Sequence, residues 1–200
     1  MKDAILDAAI KVFAAVGYEG ASFSQITDRC GAKRSLILYH YSSKEELWEC
    51  AIDKVKSLFM SRLDEQLARE SPGSDPEKLH HLLCAFMRTS REVPEYGHFI
   101  LREGLSSSPR SEWISEQLTP LSVSPGYFDN PTYYETALTG MMRQVIAGAV
   151  LYVTNMGPLM ELDKAVDDGT NPLSEENTQE VARIIVETVA LLFGKSEFNG

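Results

Sequence analysis

The sequence predicts an all-α fold: a compact three-helix head over residues 1–46 and a longer helical body over residues 47–200. Two observations carry this. Apolar residues recur at helical spacing from Ile5 to Leu192, and residues 17–47 pack three helix starts and two glycine stops into one short segment.

In the first helix Ile5, Ala8, Ala9, Val12, Phe13 and Val16 form the apolar stripe, Asp3, Asp7 and Lys11 lie opposite, and Gly17 is placed as the stop. Ser22 opens the second helix, its hydroxyl set to accept from the amide three residues on while Gln25 reaches back as a capping box. That helix ends at Gly31. A third must begin almost at once, because Arg34 to His40 contains no breaker and carries Leu36, Ile37, Leu38 and Tyr39 before Ser42-Ser43. Two short helices joined around one glycine form the helix-turn-helix pattern, which points to DNA. Ser43 with Glu46 reads as a second capping box, and Lys44 stands in its first turn, where the helix dipole prefers an anion. A cation there indicates a phosphate partner.

From Lys44 the pattern Leu47, Trp48, Ala51, Ile52, Val55, Leu58, Phe59, Leu63, Leu67 predicts one long helix leaving the head and running to Ser71-Pro72-Gly73. Asp75-Pro76-Glu77 reads as an N-cap with proline at the first helical position. Leu79, Leu82, Leu83, Phe86, Met87 and Ser90 mark the buried stripe of that helix, which Pro94 ends. A helix through Phe99, Ile100 and Leu101 stops near Gly104, and Trp113, Ile114 and Leu118 begin a short one. Residues 119–131, with three prolines and Gly126, read as loop. Two longer helices follow, at roughly residues 132–156 and 174–193, both with wide apolar faces.

Composition sets the limits. The 200 residues are 44% hydrophobic, enough for one small head and a body with its own core. The net charge of -10 argues against nucleic-acid binding over the whole surface. Residues 1–50 carry six cations (Lys2, Lys11, Arg29, Lys33, Arg34, Lys44) against seven acids, so the head is near neutral and the body acidic. DNA binding by such a head is expected to be salt-sensitive. Three cysteines, Cys30, Cys50 and Cys84, lack paired spacing and suit a reducing cytoplasm. No apolar run approaches the roughly 20 residues of a membrane span, so no membrane partner is expected.

The run Tyr18-Glu19, Ser22, Ile26, Gly31-Ala32, Tyr39-His40-Tyr41 and Ser43-Lys44-Glu45-Glu46-Leu47 resembles the DNA-binding domain of the tetracycline-repressor (TetR) family over about the first quarter of the chain. The resemblance implies a homodimeric regulator whose last two long helices form a four-helix interface, with a small-molecule effector held among the middle helices. It places the recognition helix at about Lys33 to His40. On that placement Arg34 has the fork to read guanine, Ser35 and Ser24 reach base edges or phosphates, and Leu36 and Leu38 contact thymine methyls. Ser22, Tyr39, His40 and Lys44 suit backbone phosphate, with Lys33 at the helix start in place of the usual serine cap.

For the effector, the residues expected to line a pocket are Phe86, Tyr96, Phe99, Trp113, Tyr127, Tyr134 and Met141, with Glu103 adding negative charge. His80 and Cys84 stand one helical turn apart, but no second ligand cluster accompanies them, so no metal and no cofactor are expected. Enzymatic chemistry has no motif here. The expected function is therefore a DNA-binding transcriptional regulator, a repressor released by a small molecule. The alternative is a helical small-molecule-binding or scaffold protein with a DNA-silent head, which the acidic balance and the two recognition-helix leucines would suit.

Overall fold

The computed structural model describes residues 1–104, 110, 126–130, 148 and 175–197. Seven helices account for most of them: α1 (Lys2–Gly20), α2 (Phe23–Cys30), α3 (Arg34–His40), α4 (Lys44–Leu67), α5 (Asp75–Glu92), α6 (Pro94–Gly104) and α7 (Glu175–Glu197). No strand occurs among the described residues, as the all-α expectation requires. These residues fall into two compact units, one from residues 1–61, 93–104 and 110, the other from residues 62–92, 126–130, 148 and 175–197.

In the first unit α1 is the central post. It buries Ile5, Ala8, Ala9, Ile10, Val12, Phe13 and Ala14, and packs on α2, α3 and α6. Full burial of one side chain such as Ile5 is worth about 1.5–3 kcal/mol, so this face secures the head. Val16 departs from the predicted stripe and is exposed. The expected stop at Gly17 is a sharp break instead of an end: Gly17 adopts φ 72°, ψ 175°, and helical structure resumes to Gly20.

The segment α2 to α3 is closed by the two devices read from the sequence. Ser22 N–H donates to Gln25 Oε1 at 2.7 Å and Gln25 N–H to Ser22 Oγ at 3.3 Å, a complete capping box. At the other end Gly31 takes the left-handed conformation, φ 71°, and its N–H bonds to Thr27 O. Helix α3 then starts at Lys33 with no side-chain cap, as its sequence implies. The cap of α4 is looser than a reciprocal box. Glu46 N–H donates to Ser43 Oγ at 3.0 Å, but the Glu46 carboxylate accepts from the Ser42 amide and hydroxyl, one residue further back. Along α4 the predicted stripe is buried except Leu58, which is exposed, and Leu67, which is half-buried. Phe59 stacks on Tyr96 of α6 with centroids 3.8 Å apart.

In the second unit α5 packs against α7 and is buried around most of its circumference, including Leu79, Leu82, Leu83, Phe86, Met87 and Ser90. Asp75 does not act as N-cap. The helix begins at Asp75 itself, Lys78 N–H bonds to Ser74 O, and Glu77 accepts from the Gly73 and Ser74 amides. The Asp75 carboxylate instead receives the Asp129 and Asn130 amides, each at 2.8 Å, and so anchors residues 126–130 of the predicted loop to α5. Arg88 and Arg91 of α5 bond Glu175 and Thr178 of α7. The predicted helices at 113–118 and 132–156 lie outside the described residues. No helix among the described residues is long and apolar enough to cross a membrane.

Candidate nucleic-acid interface

Helix α3 contributes only Ile37 to the core. Its other side chains are left over for something else: Lys33, Arg34 and Ser35 are exposed, Leu38 is 42% exposed and Tyr39 is 81% exposed. A tyrosine so exposed on a seven-residue helix adds little to the packing of the described residues, and large exposed aromatics mark contact surfaces. Leu36 and His40 are half-buried, and His40 touches Tyr39 and Tyr41 edge to face. The Arg34 guanidinium lies 5.2 Å from the Phe23 ring centroid at the start of α2, which steadies it beside the turn.

Around α3 stand the flanking groups. Ser22 and Ser24 are exposed in the first turn of α2, with Ser22 committed to its cap and Ser24 O accepting from the Thr27 hydroxyl. Lys44 is half-buried at the start of α4, its ammonium 4.3 Å from the Tyr18 ring centroid. Tyr18 is the residue that sequence reasoning used only as a motif letter. It stacks on Phe13, meets Trp48 edge-on and also carries the Arg110 guanidinium at 4.0 Å. Burial, together with a hydrogen bond to Glu45, pushes its phenol up to about 12. No sequence signal near Lys44 names a ring 26 positions upstream. All ten predicted DNA contacts therefore belong to one unit, on or beside the α2–α3 pair.

The predicted effector residues that are described are divided between the two units. Tyr96, Phe99 and Glu103 are buried in the first unit, where Glu103 accepts from the Tyr18 amide at 3.2 Å and faces Arg110. That carboxylate is occupied by the head itself. Phe86 is buried in the second unit, and Tyr127 there donates to Lys78 O at 3.2 Å with His81 Nδ1 3.4 Å away. Trp113, Tyr134 and Met141 lie outside the described residues. An open groove of about 560 Å³ lies in the second unit along His80, Glu176, Asn177, Gln179, Glu180 and Arg183, none of them on the predicted list. Among the described residues no cluster of His, Cys, Asp or Glu could hold a metal ion.

A capped helix, a left-handed glycine and a second helix whose outer face is free define a helix-turn-helix protein. Comparison with known proteins agrees. Residues 5–50 match the family described as bacterial regulatory proteins, tetR family, so the head carries the DNA-binding domain of that family. It is 33% identical over 63 residues to the biofilm operon icaADBC HTH-type negative transcriptional regulator IcaR of Staphylococcus epidermidis, covering 32% of this chain and 34% of that protein. It is 28% identical over 118 residues to the HTH-type transcriptional repressor ComR of Escherichia coli, covering 58% of this chain and 56% of that protein. The alignments thus span only a third to about half of these relatives. Among solved structures, the fatty acid degradation regulator FadR of Bacillus halodurans superimposes with a TM-score of 0.62 at 17% identity, over 92% of this chain and 94% of that one, which shows a shared fold.

Proposed function

We propose that this protein is a transcriptional repressor that binds a near-palindromic operator as a homodimer and is released by a small-molecule effector. The observation that carries the reading is the free outer face of α3, with Arg34, Ser35, Leu38 and Tyr39 presented together. In a helix-turn-helix the second helix enters the major groove, so Arg34 at its first turn is placed to read a guanine and Leu38 a thymine methyl. Tyr39, His40 and Lys44 grip phosphates on either side, and Ser22 joins them where its hydroxyl turns from Gln25 to a phosphate oxygen. Repression is the activity in the printed names of IcaR and ComR. Dimerisation is supported by α7, which presents Ile184, 51% exposed, beside half-buried Val181 and Ile185. Two heads in a dimer would bind about one DNA turn apart, roughly 34 to 36 Å.

The test separates base reading from backbone grip. Arg34→Ala should cost about 1–3 kcal/mol on the preferred duplex and relax preference at one position. Lys44→Ala should weaken all duplexes alike and flatten the salt dependence. A uniform loss in Arg34→Ala, measured by fluorescence anisotropy on a panel of single-base variants, would remove it from the reading helix.

A further inference from the structure

Resting on the DNA-binding reading above, we infer that Tyr18 is a positioning residue for DNA binding: its ring seats the Lys44 ammonium for a backbone phosphate, and Arg110 and Glu103 hold that ring in place from the side of α6. The geometry begins at Gly17. Its positive φ breaks α1 and turns Tyr18 so that the ring stands against Phe13 and Trp48 and beneath two cations, Lys44 at 4.3 Å and Arg110 at 4.0 Å. Lys44 opens α4, where the positive end of the helix dipole disfavours an ammonium. The ring face offsets that repulsion and restricts a long side chain that would otherwise sample many rotamers. A phosphate contact made by a pre-seated cation loses less entropy on binding.

The ring is itself tied down. Its backbone amide donates to Glu103 Oε1 at 3.2 Å, Glu103 faces Arg110, and Arg110 pairs with Glu19 next to Tyr18. Arg102 Nε adds a bond to Ala14 O at 2.8 Å, and Lys11 pairs with Glu95. Helix α6 thus holds α1 at three points, through Glu95, Arg102 and Glu103, with Arg110 adding a fourth, and the ring they steady carries the cation that opens α4. A displacement of the carboxyl-terminal end of α6 would reach Lys44 through one aromatic side chain.

A double-mutant cycle on the duplex selected from random DNA tests this. Tyr18→Leu should weaken binding about two- to fivefold per head in the otherwise native protein, from the worth of one exposed cation–π contact. It should have no further effect in a Lys44→Met background, and Tyr18→Phe should retain native affinity. Arg110→Met should follow the same pattern, its effect vanishing in Lys44→Met. Equal losses with and without Lys44 would make Tyr18 merely structural, and unchanged or tighter binding by Tyr18→Leu would show that the ring competes with phosphate; either overturns the inference. In the DNA-free protein the Lys44 side-chain methylene resonances should be shifted upfield by the ring and lose that shift in Tyr18→Leu. An absent shift overturns the seat itself, whereas a shift in a protein that selects no DNA would overturn the DNA-binding reading while the seat stands.

Discussion

Two glycines with nearly equal φ should respond differently to the same substitutions. Gly31 closes the α2–α3 turn at φ 71°, ψ 5°, and a Cβ built there meets nothing within 4 Å. The cost of Gly31→Ala is therefore left-handed backbone alone, about 1–2 kcal/mol. Asparagine tolerates that conformation, so Gly31→Asn should recover most of the loss. Gly17 sits at φ 72° but ψ 175°, a region almost confined to glycine. A Cβ there would lie 3.9 Å from Arg102 Cδ and Glu103 Oε1, ordinary contact, so strain and not collision sets the cost. Gly17→Ala should lose about 2–3 kcal/mol, and Gly17→Asn should recover none of it. Urea unfolding followed by far-ultraviolet circular dichroism reads all four variants, a loss of 1 kcal/mol corresponding to about 2–4 °C in Tm for a chain of this size. If asparagine rescues both positions equally, the assigned ψ at Gly17, and with it the placement of Tyr18, is wrong.

Three other outcomes are expected. Ser22→Ala removes one arm of the α2 capping box and should cost about 1 kcal/mol in the same unfolding assay, while Ser24→Ala, outside the box, should be close to neutral. Thr89 is fully buried on α5 with no partner for its hydroxyl among the described residues. Thr89→Val should then raise stability by roughly 1 kcal/mol, and a comparable loss would reveal a partner for the hydroxyl. Burial holds the His81 imidazole below its ordinary value of 6.5. Because the folded value is the lower one, its contribution to stability is complete above about pH 6.5 and fades as pH falls through the folded value. His81→Gln should therefore flatten the decline in unfolding free energy between about pH 7 and pH 5, and an unchanged slope would assign that decline to other groups such as His98, whose imidazole burial also holds low.

What was legible in the sequence follows the range of the forces involved. Capping is local, so Ser22, Gln25 and Gly31 announced α2 and its turn to the residue. Apolar spacing found α1, α4, α5 and α6, but it could not distinguish a stripe that faces the core from one that faces outward, which is why Val16 and Leu58 were misplaced. At α5 the sequence Asp75-Pro76 has the form of a cap, yet the carboxylate is drawn to two amides more than 50 positions away. The cation seat at Tyr18 has the same cause. Lys44 and Arg110 are distant from it in sequence, and only the break at Gly17 brings the ring to them. The outward face of α3 was readable because a short helix with one core residue has little choice of face. An effector pocket is not legible in the same way, since an aromatic at helical spacing reads the same whether it packs a core, as Tyr96 does against Phe59, or lines a cavity.

The central claim is that the free face of α3 reads DNA sequence. Selection from random duplex DNA by the purified full chain, at low and at moderate salt, tests it most directly. The account predicts enrichment of an inverted repeat whose half-sites lie about one helical turn apart, weakening steeply as salt rises. Recovery of no preferred sequence at either salt would contradict it.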